Sequence, residues 1–273
     1  MIRSPGPPPA CDPPIVLCLG GHDPTGGAGL IADAEAIRAG GAHALGIVTC
    51  LTTQSTCGLS RLLPQPAEQI EGQWQALTGD SAVAAVKIGL LGDAAIARVV
   101  ASLLREQADL PVVLDPVLAS GAGQAVADAA LIECLRDDLL GGCSLMTPNL
   151  PEARALSGAD SPDACAATLL ETGCRWVLIT GTHDETSAVI NRLYGEDGLL
   201  ETWHWPRLPG SFHGSGCTLA SAAAARLAKG ATMIEAVAEA QAYTWETLAK
   251  ARRTGRCQLT PNRLFALERR SER

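Results

Sequence analysis

The nine residues Gly210-Ser-Phe-His-Gly-Ser-Gly-Cys-Thr218 carry the strongest chemical signal in this chain. A Gly-x-Gly turn that opens directly onto a helix leaves backbone N–H groups free at the positive end of the helix dipole. That suits phosphate oxygens, or the charge that builds on a phosphoryl group in transfer. Cys217 also falls at the helix start, where the dipole favours thiolate, so a lowered thiol pKa is expected. The competing reading of the same residues is a tight turn ahead of a packing helix that buries a cysteine.

Two further sets of residues have types suited to the same chemistry. Gly20-Gly-His-Asp-Pro-Thr-Gly-Gly-Ala-Gly29 is glycine-rich and runs into a helix, yet it is neither a dinucleotide fingerprint nor a P-loop. Asp23 precedes Pro24, which holds it in an extended or turn conformation. Asp115 stands at the end of an apolar run, and Asn149 and Glu152 follow another in Thr-Pro-Asn-Leu-Pro-Glu. Oxygen donors at neighbouring strand ends suit Mg²⁺, which keeps several waters and binds nucleotide phosphates. Asn149 and Glu152 could equally cap a following helix. His22, His43, His183 and His204 show no ligand spacing and read as turn, hydrogen-bonding or surface residues. His213 differs because it precedes the anion loop.

The elements that would position these residues alternate along the chain. Apolar, β-branched runs predict strands at 15–19, 44–49, 83–88, 112–115, 145–147 and 176–180. Ala/Leu-rich segments predict helices at 29–38, 67–77, 94–106, 125–139 and 163–171. Several of the strands are continuously apolar, as in a sheet covered on both faces, and the strand–helix repetition predicts a doubly wound, mainly parallel α/β sheet. After Gly181 the rhythm changes to a β-hairpin, 187–194 with 199–205, and then to helices at 217–228 and 233–250. No linker or repeat is visible, so residues 15–273 are expected to form one domain behind a disordered tail, 1–14. In such sheets ligands sit beyond the carboxyl ends of the strands, where all three polar sets fall.

Composition narrows the class. Of 273 residues, 47% are apolar and 3% aromatic, so the core is built from small and aliphatic side chains. The net charge of −8 and the absence of a Lys/Arg cluster argue against nucleic acid. No apolar stretch is long enough to span a membrane, and the proline-rich start lacks the apolar core of a signal peptide. Ten scattered cysteines without a CxxC pair argue against structural zinc. They are expected to be reduced, in a cytoplasmic protein.

Taken in order, these segments resemble the hydroxymethylpyrimidine/phosphomethylpyrimidine kinases of the ribokinase-like superfamily. Gly21-His-Asp-Pro-Thr-Gly-Gly-Ala-Gly-Leu-Ile-Ala-Asp33 is similar to the family's G-x-D-P-[ST]-G-G-A-G-x-x-A-D. Residues 49–56 resemble T-A-L-x-x-Q-[ND]-T, and Val86-Lys-Ile-Gly-Leu-Leu91 resembles K-I-G-M-L. Asp115-Pro-Val is similar to D-P-V, Thr147-Pro-Asn-Leu-Pro-Glu-Ala153 to T-P-N-x-x-E-A, and His213-Gly-Ser-Gly-Cys-Thr218 to H-G-T-G-C-T. Six motifs in order over residues 15–250 are specific where any one alone is not.

The resemblance implies a ribokinase-like three-layer α/β/α sandwich and ATP-dependent phosphorylation of 4-amino-5-hydroxymethyl-2-methylpyrimidine in thiamine biosynthesis. Gly21, Asp23, Ala28, Asp33, Thr52, Gln54, Leu90 and Val117 would form the substrate site. The Gln54 amide suits an aminopyrimidine because it both donates and accepts. Cys217 would be the base, beside an anion hole formed by the N–H groups of Gly214, Ser215, Gly216 and Cys217. Asp115, Asn149, Glu152, Thr180, Gly181, Thr182 and Lys87 would serve ATP and Mg²⁺, with Asp115 and Glu152 on the metal, partly through water. A homodimer is usual in the family.

Two departures matter. The lysine that usually follows D-P-V is missing from Asp115-Pro-Val-Leu-Ala-Ser-Gly-Ala-Gly123, and the K-G-G-H lysine is missing from Ile179-Thr-Gly-Thr-His183. Three alternatives stand beside this reading: a pyridoxal or other vitamin kinase of the same superfamily, a non-catalytic pyrimidine-binding domain, and a thiol acyltransferase using Cys217 as nucleophile.

Overall fold

The computed structural model describes residues 11–107, 109–121, 123–182 and 186–271. Residues 1–10 of the expected tail, and His183, lie outside the described residues. Within that tail, Pro14 already engages the fold, its carbonyl accepting from the His43 N–H at 2.9 Å.

Nine strands form one sheet: β1 (Ile15–His22), β2 (His43–Ser55), β3 (Gly58–Pro64), β4 (Val83–Ile88), β5 (Val112–Leu114), β6 (Leu145–Met146), β7 (Trp176–Ile179), β8 (Ala188–Gly195) and β9 (Gly198–Pro206). Their order is β3-β2-β1-β4-β5-β6-β7-β8-β9. The pairs from β2 through β7 are parallel, and antiparallel strands extend both edges. Apolar runs such as Ile15-Val-Leu-Cys-Leu19 are buried throughout because helices cover both faces.

One layer holds α1 (Gly29–Ala39), α7 (Ser215–Ala228) and α8 (Met233–Ala249), packed through Val16, Cys18, Ile37, Leu219 and Val237. The other holds α2 (Ala67–Asp80), α3 (Ala94–Arg105), α4 (Ala129–Cys134), α5 (Leu150–Ser157) and α6 (Pro162–Glu171), packed through Leu19, Ile88, Ile96, Leu114 and Leu169. The short α9 (Phe265–Ser271) follows. This is the expected three-layer α/β/α sandwich with its late hairpin. Residues 218–225 of α7 are all buried, and their alanines let the helix sit tightly between sheet and neighbouring helices.

Several elements differ from the sequence expectation, among them the unexpected α9 and the extension of β2 to Ser55. β3 pairs with β2 as a flap whose pattern alternates polar and apolar, and its short, mixed composition hid it. α5 forms on the capping box of Asn149 and Glu152. The helix expected over 125–139 begins only at Ala129, because the Asp128 carboxylate accepts from the Leu131 N–H at 2.8 Å and caps it.

The expectation of reduced cysteines is also corrected. Cys57 and Cys257 form a disulfide across 200 residues, joining the flap tip to the C-terminal segment. Linear spacing cannot show a pair that only the tertiary fold brings together. Cys18, Cys50, Cys134, Cys143, Cys165, Cys174 and Cys217 keep free thiols.

Candidate active site

The strand order reverses between β1 and β4, and beyond the carboxyl ends there lies a cavity of about 810 Å³. Gly21, Asp23, Ala28, Thr52, Gln54, Leu90 and Val117 line its inner end. Lys87, Asp115, Asn149, Glu152, Thr180, Thr182 and the loop Gly214, Ser215, Gly216, Cys217 line the rest. The fold therefore gathers all but two of the expected residues around one space. Asp33 is the first exception. It is fully buried beneath the cavity, held by Lys87 Nζ at 2.8 Å and the Ser221 hydroxyl at 2.7 Å. Gly181 is the second, its N–H donating to Asn191 Oδ1 at 3.1 Å behind the wall.

The two glycine-rich loops face each other. Asp23 accepts from the Thr25 N–H (2.8 Å), the Thr25 hydroxyl (2.9 Å) and the Ala28 N–H (2.8 Å), and its Oδ2 lies 2.9 Å from His213 Nε2. Burial alone would raise this carboxyl. The hydrogen bonds, led by His213, outweigh it and hold the pKa down at about 2. With its lone pairs committed, Asp23 organises the loop and staples it to the anion loop. His213 also packs on Gly27, where a Cβ would overlap its ring. At Gly214, φ is 78°, and an added Cβ would overlap the Gly27 carbonyl. Glycine is required there on both counts.

Gly214 is the N-cap of α7 and accepts the Thr218 N–H at 3.0 Å. The Ser215, Gly216 and Cys217 N–H groups thus belong to the unpaired first turn. Asp115 lies beside them, 3.3 Å from where a Cβ on Gly216 would stand. The Asp115 carboxyl and the Gly29 N–H at the start of α1 lie close enough to the Cys217 sulfur to act on its ionisation. The expected lowering of the Cys217 pKa does not hold. Burial pushes the thiol up, Lys87 pulls it down, Asp115 and Asp33 push it up again, and it rests at about 12. Desolvation and two carboxylates outweigh the dipole. Burial would likewise depress the Lys87 ammonium, yet Asp33 and its other anionic neighbours hold it above its usual range.

Asp115 and Glu152 form a second electrostatic feature. Burial raises the Asp115 carboxyl, although Lys87 opposes this. Burial, then the Asp115 charge, raises Glu152 to about 8. Glu152 closes the α5 capping box, Oε2 accepting from the Asn149 N–H at 3.0 Å, so the capping reading of these residues is also realised. Two buried carboxylates that repel each other's charge suit a shared cation. Among the described residues no group of three or more His, Cys, Asp or Glu side chains could hold a metal alone. The pair fits an ion that completes its shell with water and phosphate oxygens.

The cavity wall also contains residues the sequence did not single out. Gln241 Oε1 accepts from Asn191 Nδ2 at 2.8 Å and from Trp205 Nε1 at 3.1 Å, and Trp205 stacks on Trp245 at 6.4 Å between centroids. Gln258 donates to the Gly121 carbonyl at 3.0 Å, tying the C-terminal segment to the loop after Asp115. These residues come from β8, β9, α8 and the C-terminal segment, and no local motif marks them. His213 had only its place before the anion loop as a signal.

The family model for phosphomethylpyrimidine kinase matches residues 23–262. The chain is 37% identical over 244 residues to the hydroxymethylpyrimidine/phosphomethylpyrimidine kinase of Streptomyces coelicolor, covering 87% of this chain and 89% of that one. It is 36% identical over 267 residues to the enzyme of the same name from Mycobacterium tuberculosis, covering 95% and 97%. Among solved structures, a Bacillus subtilis pyridoxal kinase in complex with ADP superposes with a TM-score of 0.85 at 25% identity, covering 92% of this chain and 97% of that one. The phosphomethylpyrimidine kinase of Clostridium difficile superposes with a TM-score of 0.76 at 27% identity, covering 86% and 99%. The six ordered motifs, the ribokinase-like sheet and the paired glycine loops therefore have one source: this chain belongs to the phosphomethylpyrimidine kinase family.

Proposed function

We propose that this chain transfers the γ-phosphoryl group of ATP to the hydroxymethyl oxygen of 4-amino-5-hydroxymethyl-2-methylpyrimidine, within thiamine biosynthesis. The observation that carries the reading is the meeting of the two glycine loops over Cys217, with Asp115 and Glu152 alongside. In this reading Gly21, Ala28, Thr52, Gln54, Leu90 and Val117 enclose the pyrimidine, and the Gln54 amide pairs with its ring nitrogen and amino group. The free N–H groups of α7 receive the charge of the transferring phosphoryl. The hydroxyl oxygen bonds to phosphorus as the bond to the ADP oxygen breaks, and Cys217 takes the hydroxyl proton. Thr180, Thr182 and the Asn191–Gln241–Trp205 group border the nucleotide. Mg²⁺, held by Asp115 and Glu152 partly through water, would neutralise charge between the phosphates.

The cation assignment has a pH signature. Glu152, with a folded pKa of about 8 against 4.5 unfolded, keeps a proton between those values that the unfolded chain releases. Its contribution to stability is therefore lost as pH rises from 4.5 through 8. A cation on the carboxylate displaces that proton and reverses the trend. Added Mg²⁺ is thus expected to raise the melting temperature more at pH 8 than at pH 6, and Glu152→Gln to remove most of that difference. Thermal scans at both pH values check this; an equal Mg²⁺ effect at both would remove Glu152 from the cation site.

The second transfer, to the monophosphate, is expected to be slower. It brings a dianionic acceptor against ATP, and both lysines typical of the family are absent. Among the described residues lining the cavity, the basic ones are Lys87 and Arg207. Lys87 is paired with Asp33, and Arg207 donates to the Thr182 and Thr186 carbonyls. Turnover with the pyrimidine, its monophosphate and pyridoxal, counting ADP per acceptor, tests both claims. One ADP per pyrimidine supports the slow second step, and rapid progress to two refutes it. Pyridoxal phosphorylation is the second reading, favoured by the 0.85 TM-score to the Bacillus subtilis enzyme; faster turnover of pyridoxal would establish it instead.

The reading extends to a cytoplasmic protein, where ATP is available. Among the described residues no helix is long and apolar enough to cross a membrane. It also extends to a homodimer: exposed Leu51 and Leu63 pair across the flap, and sedimentation would give the state.

A further inference from the structure

Arg263 lies beyond every motif of the sequence, yet only 1% of it is exposed. Its backbone is pinned to α8, the Asn262 N–H donating to the Thr247 carbonyl at 3.0 Å and the Tyr243 hydroxyl to the Arg263 carbonyl at 2.8 Å. From there the guanidinium fans across the seam between the two glycine loops. Nη1 donates to the Gly26 carbonyl at 3.2 Å and to Glu35 Oε2 at 3.1 Å, and Nη2 donates to the Gly27 carbonyl. Nε donates to Thr218 Oγ1 at 2.8 Å, and the Thr218 hydroxyl donates onward to the Gly214 carbonyl at 2.8 Å.

Each partner has a consequence in the site. The Gly27 carbonyl abuts Gly214, the residue whose left-handed conformation starts α7. The Gly214 carbonyl belongs to the same peptide plane as the Ser215 N–H, so fixing one aims the other at the cavity. One planar cation thus sets the position of the first loop and, through Thr218, the direction of an anion-hole donor. A lysine could not span these partners, because its ammonium is a single point without the fork.

We infer that Arg263 is a positioning residue for phosphoryl transfer, aligning the Gly26–Gly27 carbonyls and the Gly214–Ser215 peptide through Thr218. The inference rests on the kinase reading for its rate effect alone. Donors fixed before the reaction lower the barrier because no reorganisation is needed when charge develops. Loosening them should therefore lower kcat while leaving the pyrimidine KM nearly unchanged.

Three variants test this: Arg263→Lys, Thr218→Val, which cuts the relay while sparing the other contacts of Arg263, and Thr218→Ser, which retains the hydroxyl. The first two are expected to lower kcat roughly 10²-fold, with the pyrimidine KM within about threefold of wild type. Thr218→Ser should return most of the rate. Backbone amide exchange should quicken in residues 26–29 and 214–218 of Arg263→Lys while the central strands stay protected. Wild-type turnover in both Arg263→Lys and Thr218→Val would overturn the inference. So would faster exchange spread through the whole chain with Thr218→Ser no better than Thr218→Val, since that marks general stability. If the wild-type chain turns over none of the acceptors, the kinase reading fails, and the exchange pattern alone still decides whether Arg263 aligns the two loops.

Discussion

Cys217→Ala is expected to lower kcat by about 10²–10⁴-fold, with the pyrimidine KM close to wild type. The thiol is small, half-buried and at the mouth of α7, so its loss removes little packing. In the proposed reaction it removes the proton acceptor beside the anion hole. At rest that acceptor is occupied, because burial and the Asp115 and Asp33 carboxylates hold the thiol at about 12. Neutralising Asp115 with a cation removes one of those opposing charges and leaves Lys87 and two helix N-termini, which favour thiolate. In the proposed reaction Cys217 would therefore take the proton only in the loaded site. Thiolate absorbance near 240 nm should rise when Mg²⁺ and a nucleotide analogue bind, and Cys217→Ala should abolish the rise. Wild-type turnover in the alanine variant would make Cys217 a packing residue.

Much of this site could be read along the chain, because the signals were local. A strand run followed by glycines and a helix start is written in consecutive residues, and so were the ends at Asp115 and Asn149. Sheet periodicity then put those ends on one edge. Asp33 shows where local reading fails: it sits in a motif, but one turn into α1, and the helix carries it under the loop onto Lys87. The Cys217 ionisation failed for a related reason. The dipole at the helix start is a local feature, whereas the two carboxylates and the desolvation that outweigh it arrive from β5, α1 and the packed core. Arg263, Gln258 and the Cys57–Cys257 bond depend on a C-terminal segment crossing back to the first loops. Separations of 137 residues for Gln258–Gly121, 200 for the disulfide and 236 for Arg263–Gly27 leave no trace in spacing.

Lys87→Met is expected to destabilise the protein by about 3–5 kcal/mol, because it leaves Asp33 charged in the core with only Ser221 as partner. Removing both charges in Lys87→Met/Asp33→Asn should restore most of that stability, since a buried pair gains little over neutral residues of similar shape. The asparagine carbonyl can still accept from Ser221. Activity should not return with stability. Lys87 lowers the pKa of both Asp115 and Cys217, and although the double variant also loses the Asp33 charge that raises them, Lys87 is the larger influence on each, so the shift is smaller than in the single variant but keeps its sign. Without Lys87 the Asp115 carboxyl keeps its proton to higher pH, so the acidic limb of the kcat/KM profile should move upward. The thiolate of Cys217 loses its attracting charge too, which adds a fall in kcat at every pH. Denaturant unfolding and pH–rate profiles of the single and double variants separate the two roles. A double variant that recovers kcat along with stability would reduce Lys87 to a counter-ion for Asp33. One that recovers stability alone places the Lys87 charge in the reaction, reaching Cys217 and Asp115 from beneath the loop.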